Sequence, residues 1–255
     1  MHDARQEYPV AARLRYEAIL DGREYRIAEG GRPVKVEYDA LSALNFLHMD
    51  CFAQAYAALP PDTVFLHAAS GRIAGRRFLL IGESGVGKTT LILHLARQGA
   101  TAEGDEHVAL TPRGVVAVPR RFHVKSPSFA ELPWLEGEAG RLPSFDNGNG
   151  TRIFAVAPSE LGFAWDIRCG PVDAVFFLES NHGGQPRIEA IPHYRMVELA
   201  ISQTRLADRR ERSWLRPLCA MLDGAAARKL IVGDLDSTAR MLLLSLGEMQ
   251  KSIRR

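Results

Sequence analysis

The residues Gly82–Thr89, which spell GESGVGKT, have the types and spacing needed to hold a chain of phosphates. They fit the pattern G-x-x-x-x-G-K-[ST], with the apolar run FLLI before it and an apolar helical pattern after it. Glycines let the backbone turn so that successive N–H groups face phosphate oxygens, and a helix N-terminus adds partial positive charge. Lys88 would reach the β- and γ-phosphates, and the Thr89 hydroxyl would be a ligand of Mg²⁺.

The sequence therefore predicts a loop that binds a nucleoside triphosphate. The predicted binding residues are Gly82, Glu83, Ser84, Gly85, Val86, Gly87, Lys88, Thr89 and Thr90.

Two acids, Asp105 and Glu106, follow the helix predicted over residues 88–98. We expect a short strand, returning beside the strand of the loop, to carry them to the phosphate edge of the sheet. An acid pair at that edge has two natural roles: one completes the Mg²⁺ shell, directly or through water, and the other accepts a proton from an attacking hydroxyl. A solvated pair in a turn is the alternative, and position alone does not decide between them.

Motifs that the sequence lacks exclude several classes of phosphate-loop protein. No guanine-reading N-K-x-D segment is present, which argues against a switch GTPase. The partial LSGGQ-like stretch HGGQ, at 182–185, lies between two predicted strands and is interpreted as a turn. Glu179 ends the run AVFFLES where ATPases usually carry Asp, and a strand-end carboxylate in water is favoured there over a metal ligand.

A basic segment, PRRFHVKSPS, follows the acids and carries Arg120, Arg121, His123 and Lys125. In a strand, the last three of these would share one face and clamp phosphates or an acidic substrate, and a solvated strand edge is the alternative. Three aromatic residues that would line a pocket are better explained by core packing: Trp134, Phe163 and Trp165.

The pattern of strands and helices that must position these residues predicts an α/β fold. It has a mixed sheet, flanking helices and a small N-terminal β-rich piece. Asp-Gly and Gly-Gly turns separate the N-terminal strands, and Asp39 would cap a helix over about residues 40–58. Further helices are predicted over 193–205, 209–224 and 235–249, and a long surface loop over 135–150. We divide the chain into an N-terminal appendage, residues 1–39, and a phosphate-loop domain, residues 40–255.

Composition predicts a cytoplasmic protein that binds neither nucleic acid nor membrane. The net charge is +2 with both signs interspersed, and no apolar run approaches the roughly 20 residues of a membrane helix. The N-terminus has no apolar segment of a signal peptide. Three separated cysteines indicate a reducing compartment without a zinc site, and Cys51 and Cys219 are predicted core residues.

The order LHAAS…GRRFLLIGESGVGKTTLILHLARQGATAEGDEHVAL…AVPRRFHVK resembles the C-terminal catalytic domain of HPr kinase/phosphorylase and its relatives. These relatives include kinases encoded with peptide-modification clusters, such as those for lasso peptides. Their fold is similar to the core of phosphoenolpyruvate carboxykinase. The resemblance is tight from about Phe65 to Leu110, is looser from there to the end, and does not cover the region before about Ala40.

The resemblance implies a role for each matched residue. His67 matches the family's active-site histidine on the strand before the loop, although the residues alone would favour a buried strand histidine. Glu106 stands seventeen residues after Thr89, as the family's proton-accepting aspartate does, and Asp105 matches the acid before it. Lys88 matches the loop lysine and Thr89 the metal-binding hydroxyl, so Thr89 and Asp105 are the predicted metal ligands.

Two departures limit what the resemblance implies. Glu106 stands where the bifunctional enzymes have Asp, which changes the reach of the carboxylate by one methylene. Nothing after the acid pair resembles the family's E-[IV]-R-G-[LI]-G segment, which supplies a second metal ligand and belongs to the phosphorylase machinery. We therefore expect neither HPr as the substrate nor the reverse reaction, and Asp105 is the best candidate to help hold the metal.

The sequence thus predicts an ATP- and Mg²⁺-dependent kinase that phosphorylates a hydroxyl, with serine in a peptide or protein favoured and a modified-peptide precursor as one candidate. The predicted catalytic residues are Glu106, His67, Lys88 and Asp105. The alternatives are a small-molecule kinase for hydroxyamino acids and a non-catalytic ATP-binding regulator. A homo-oligomer is compatible with the sequence.

Overall fold

The computed structural model describes residues 15–57, 63–111, 113–147, 149–181, 183–205 and 214–253. Within them the chain forms two compact units, one of residues 15–57 and one of residues 63–205 and 214–253.

The smaller unit is an antiparallel sheet followed by a helix: β1 (Tyr16–Asp21), β2 (Glu24–Glu29), β3 (Arg32–Glu37) and α1 (Ala40–Ala57). Gly22 and Gly31 have φ angles of 64° and 82° in the two turns, where a residue without a Cβ is favoured. Asp39 caps α1 as predicted, because its Oδ1 accepts a hydrogen bond from the Ser42 N–H at 2.9 Å. The helix α1 belongs to this compact unit, which therefore extends past residue 39. The division into an N-terminal appendage and a phosphate-loop domain stays a prediction.

The cysteine prediction for α1 was wrong. Cys51 is exposed on this helix, and Cys219 in the larger unit is only half buried. Apolar side chains occur on several sides of α1, where Ala43 is buried but Leu44 and Met49 are exposed, so helical spacing alone does not identify the buried face.

The larger unit consists mainly of strands, with helices between some of them. Its strands are β4 (Val64–Leu66), β5 (Ala68–Ile73), β6 (Arg76–Ile81), β7 (Thr101–Gly104), β8 (Val108–Thr111), β9 (Gly114–Ala117), β10 (Phe122–Lys125), β11 (Ser144–Asp146), β12 (Arg152–Val156), β13 (Ala174–Ser180), β14 (Arg187–Ala190), β15 (Thr204–Arg205) and β16 (Ala226–Val232). Its helices are α2 (Lys88–Arg97), α3 (Pro133–Glu136), α4 (His193–Ser202), α5 (Leu215–Asp223) and α6 (Leu235–Ile253).

A six-stranded mixed sheet lies at the centre of this unit, in the order β14-β16-β13-β6-β5-β7. Strand β13 pairs parallel with both β6 and β16, and the other pairs in the sheet are antiparallel. Two smaller sheets accompany it, in the orders β15-β4-β8-β9 and β10-β12-β11. This arrangement is the mixed α/β fold that the sequence predicted.

Both faces of the central sheet are covered, which explains why the second part of β6, FLLI, is a continuous apolar run. Phe78 and Leu80 pack in the core cluster that includes α2 and α6, while Leu79 and Ile81 pack in the cluster that includes α4 and α5. Burying each such side chain contributes roughly 1.5–3 kcal/mol. The strand that leads into residues 82–87 is therefore anchored from both sides.

Several element boundaries differ from the sequence predictions, and α6 extends to Ile253 instead of ending at residue 249. Residues 135–150 are not one surface loop, because Ser144–Asp146 pair with β12 as β11. The helix predicted over 193–205 ends at Ser202, and Thr204–Arg205 pair with β4 instead. The predicted start of the next helix at 209, and His182 of the HGGQ stretch, lie outside the described residues.

Among the described residues, no helix combines the length and the apolar composition needed to cross a lipid bilayer.

Candidate active site

Residues 82–87 form a tight turn between β6 and the N-terminus of α2. The φ angles of Gly82, Gly85 and Gly87 are 148°, 86° and 100°, which glycine adopts without strain. A Cβ at Gly82 would lie 2.9 Å from the carbonyl oxygen of Leu178 on β13, so this position has no room for a side chain. Glu83 and Ser84 are exposed, so the outer side of the turn is open to a ligand.

Lys88 is the first residue of α2, and its side chain lies inside the turn. Its Nζ donates hydrogen bonds to the carbonyl oxygens of Gly82 at 2.6 Å and Glu83 at 2.9 Å. Burial lowers the pKa of Lys88 to about 8, so the ammonium is still mostly charged at neutral pH. A positive charge therefore lies within the turn, where the sequence predicts phosphate.

Asp105 follows β7 and forms hydrogen bonds with both α2 and β10. Its Oδ2 accepts hydrogen bonds from the Thr89 hydroxyl at 3.3 Å and from the His123 backbone N–H at 3.0 Å. The residue is 3% exposed, and its Oδ1 has no hydrogen-bond partner. Burial raises the pKa of Asp105 to about 6. A buried carboxylate oxygen without a protein partner is costly, and it has the chemistry to bind a cation or a water molecule.

The acids reach the turn by a different route from the one expected. The strand that carries them, β7, pairs with β5 and not with β6, so one strand separates it from the strand of the turn. Helix α2 packs on both β5 and β7, and this crossing brings Thr89 to Asp105. Asp105 thus contacts the residue that follows Lys88, although the strand order proposed for the acids was wrong.

Glu106 lies beside Asp105 and forms an ion pair with Arg120, whose Nη1 is 2.6 Å from Oε2. Burial raises the pKa of the Glu106 carboxyl, but the charges of Arg120 and of nearby histidines outweigh burial and hold the pKa below its ordinary value. Glu106 is therefore ionised at neutral pH.

His67 lies in the one-residue break between β4 and β5, and not within a strand as the sequence predicted. Its backbone N–H donates to the Gln203 carbonyl at 2.8 Å, and the next residue, Ala68, donates to the Glu106 carbonyl at 3.2 Å. His67 is half buried and close enough for its charge to lower the pKa of Glu106. The structure thus brings His67 to Glu106.

The side chains of the basic segment PRRFHVKSPS do not all lie on one face. In β10, Phe122 and Val124 are buried while His123 and Lys125 point to the opposite side, as the alternation predicted. Arg121 turns away from the acids and pairs with Glu160, at 2.5 Å. Lys125 is close enough to Lys88 for its charge to lower the pKa of that lysine.

A buried ion cluster around Glu103 was not anticipated from the sequence. Glu103 is 1% exposed on β7 and binds Arg77 of β6 (Nε–Oε2 2.9 Å) and Arg72 of β5 (Nε–Oε1 3.2 Å). The Ser70 hydroxyl of β5 donates to Oε2 at 2.7 Å. These contacts connect β7 to β5 and β6. They do so at Glu103, two residues before Asp105. The acid within the short strand TAEG was the signal that could have identified it.

The remaining candidate residues pair with residues other than those of the turn 82–87 and the acids Asp105 and Glu106. Glu179 pairs with Lys229 at 2.7 Å and is about half exposed, in line with the preferred surface interpretation. Trp134 and Phe163 contact each other edge to face at 5.4 Å and pack against the core, as favoured. Trp165 donates from Nε1 to the Glu103 carbonyl at 3.2 Å.

Thr89 and Asp105 are the residues with the right chemistry for Mg²⁺. Among the described residues, no group of three or more His, Cys, Asp and Glu side chains is arranged to hold a metal. Mg²⁺ does not need such a group, because it is commonly held by one or two carboxylates with water and substrate phosphates as the other ligands. The unpartnered Oδ1 of Asp105, next to the Thr89 hydroxyl, fits that requirement.

The larger unit is a mixed α/β fold. At one edge of its central sheet lie a glycine turn, a buried lysine and two adjacent acids. No protein-family model matches the chain, and no curated protein matches it. Among solved structures it is similar to the HPr(Ser) kinase/phosphatase from Coxiella burnetii, with 14% sequence identity and a TM-score of 0.36, over 74% of this chain and 98% of that chain. This similarity is distant and does not assign an activity to the chain.

Proposed function

We propose that the protein is an ATP- and Mg²⁺-dependent kinase that transfers the γ-phosphoryl group to a hydroxyl, with serine in a peptide or protein as the favoured acceptor. The observation that carries the proposal is the contact between Thr89 and Asp105, with Glu106 beside it and Lys88 at the start of the same helix. A structural turn would need neither the buried acid nor the buried lysine.

The triphosphate would lie against residues 82–90. Backbone N–H groups of the turn and the N-terminus of α2 would bind phosphate oxygens, and Lys88 would exchange its carbonyl partners for the β- and γ-phosphates. The backbone N–H groups belong to the turn and the helix, so they would stabilise the charge of the transferring group with little reorganisation, whereas Lys88 would have to change its partners.

Thr89 and Asp105 would hold Mg²⁺, through the hydroxyl and the unpartnered Oδ1. When bound, the ion would neutralise charge on the β- and γ-phosphates. This role explains why the fold keeps a carboxylate whose ionisation burial opposes.

Glu106 would accept the proton of the acceptor hydroxyl. In the reaction, the acceptor oxygen forms a bond to the γ-phosphorus, the bond from that phosphorus to the β–γ bridging oxygen breaks, and ADP leaves with the bond's electron pair. The hydroxyl proton passes to Glu106, which is ionised beside Arg120 and ready to accept it. His67, close to Glu106, would support this step.

A non-catalytic ATP-binding regulator is the second candidate, and one observation favours it. The described residues provide only the Thr89–Asp105 pair as metal ligands, while Glu106 is already paired with Arg120. In such a regulator the Glu106–Arg120 pair would be a structural contact that changes with ATP occupancy.

Incubation with γ-labelled ATP, Mg²⁺ and candidate acceptors tests the proposal. The acceptors are the peptides encoded by neighbouring genes and a panel of hydroxyamino acids, and mass spectrometry locates the phosphate. A labelled serine in a peptide supports the proposal, and labelled free amino acids with untouched peptides indicate a small-molecule kinase. Slow ATP hydrolysis without any labelled acceptor supports the regulator and contradicts the kinase.

A further inference from the structure

Arg120 holds the side chain of Glu106 through a short contact, 2.6 Å from Nη1 to Oε2. The Arg120 and Glu106 side chains are 11% and 29% exposed, so water screens this pair less than a surface pair. A hydrogen bond between two charged groups at this distance is strong and directional. The contact therefore restricts the orientation of the carboxylate as well as stabilising its charge.

The segment that carries Arg120 also binds the other acid. Arg120 Nη2 lies 2.6 Å from the ring Nδ1 of His123, and the His123 backbone N–H donates to Asp105 Oδ2 at 3.0 Å. One short segment thus contacts Glu106 through a side chain and Asp105 through the backbone. Two adjacent carboxylates repel each other, and Arg120 is near enough to act electrostatically on both.

We propose that Arg120 is a positioning residue of the transfer reaction, which holds the Glu106 carboxylate in the orientation that takes the proton of the acceptor hydroxyl. The proposal rests on the kinase function proposed above and adds to it a residue outside the turn 82–87. Arg120 acts through Glu106, whereas nucleotide binding belongs to Lys88 and the turn. Loss of Arg120 therefore lowers the rate of transfer and leaves ATP binding in place.

Arg121 supplies a matched control in the next position of the chain. It has the same side chain, but its partner is Glu160, and both members of that pair are more exposed, at 39% and 47%. Removing Arg121 takes away one guanidinium and one ion pair without touching Glu106. A difference between the two variants therefore reports on the Glu106 contact and not on net charge.

The test compares Arg120→Met, Arg120→Lys and Arg121→Met in steady-state transfer assays with the labelled acceptor. We expect kcat of Arg120→Met to fall by about 100-fold, the order of a mispositioned proton acceptor, while KM for ATP changes by less than about threefold. Arg120→Lys should keep an intermediate kcat, because an ammonium supplies the charge but not the planar fork. Arg121→Met should match the unchanged protein.

A double variant separates positioning from general damage to the fold. If Arg120 acts through Glu106, the variant Arg120→Met/Glu106→Gln should transfer no more slowly than Glu106→Gln alone. Thermal melting identifies unfolding of Arg120→Met, in which case Arg120→Lys carries the same comparison.

Two results would overturn the role of Arg120 without contradicting the kinase function. One is transfer by Arg120→Met at the same rate as Arg121→Met. The other is a double variant whose loss of rate equals the product of the losses in Arg120→Met and Glu106→Gln. No transfer by the unchanged protein to any acceptor would overturn the kinase itself, and the role of Arg120 with it.

Discussion

Asp105 is the residue at which the proposed role and the stability of the fold oppose each other. It is almost fully buried, one of its oxygens has no partner, and burial raises its pKa to about 6. A carboxylate kept there at neutral pH destabilises the protein without nucleotide. Such a conflict between stability and chemistry is typical of a functional group.

Replacing Asp105 with asparagine should stabilise the protein without nucleotide and abolish transfer. The folded-state pKa lies above the ordinary value of 3.8, so the stability that the protonated acid provides is lost as pH rises through about 6. The gain for the variant should reach up to about 3 kcal/mol at pH 8 and shrink towards pH 4. Urea unfolding at several pH values measures it, and a variant less stable than the unchanged protein at pH 8 would contradict the assignment.

Replacing Lys88 with alanine should weaken ATP binding by about 100-fold, because charge-assisted hydrogen bonds to phosphate contribute roughly 1.5–3 kcal/mol each. The fold should tolerate the change, since burial already opposes the ammonium. Calorimetric titration with a non-hydrolysable ATP analogue measures the affinity. ATP affinity equal to that of the unchanged protein would exclude Lys88 as a phosphate ligand.

At the residue scale, the sequence could predict where side chains lie when their position depends on local geometry. Gly82, Lys88 and Thr89 were predictable because a strand, a glycine turn and a helix follow one another within a few residues. The partner of Glu106 was not, because Arg120 is fourteen residues away and its direction differs from that of Arg121 next to it.

At the scale of elements, the Glu103 cluster fixes the strand that delivers the acids. Arg77 donates hydrogen bonds to Glu103 from Nε and Nη2, and Arg72 forms an ion pair with the same carboxylate. Since these arginines lie on β6 and β5, the cluster sets the position of β7 across two strands. Asp105 and Glu106 follow directly, so their placement depends on this cluster.

Replacing Glu103 with glutamine should lower the free energy of unfolding by about 3–5 kcal/mol, because the buried Arg77 guanidinium then loses its counter-charge. Arg72 keeps its ion pair with Asp166. Glu160→Gln, which breaks the exposed pair with Arg121, should cost less than about 1 kcal/mol. Urea unfolding compares the two variants directly. Equal effects would show that the Glu103 cluster does not anchor β7.

Strand order was the part of the fold that the sequence could not supply. The run from β6 through α2 is local, whereas the pairing of β7 with β5 depends on contacts such as Arg77–Glu103 and the bond from Trp165 to the Glu103 carbonyl. These contacts join residues far apart in the chain. Apolar periodicity identifies a strand but does not choose its neighbours.

At the scale of the whole molecule, the larger unit positions the candidate site at one edge of a sheet buried on both faces. The turn 82–87 leaves the C-terminal end of β6, where β13 runs parallel to it, and α2 crosses towards β5 and β7. Ligand sites of α/β proteins commonly lie at the C-terminal ends of parallel strands. The position of the turn is therefore consistent with nucleotide binding.

The central claim is that Glu106 accepts a proton during phosphoryl transfer from ATP. The most direct measurement is a single-turnover assay of transfer from saturating ATP to the acceptor, in the unchanged protein and in Glu106→Gln. We predict that the variant binds ATP with unchanged affinity and transfers phosphate at least about 100-fold more slowly. Transfer at equal rates in the two proteins would contradict the claim.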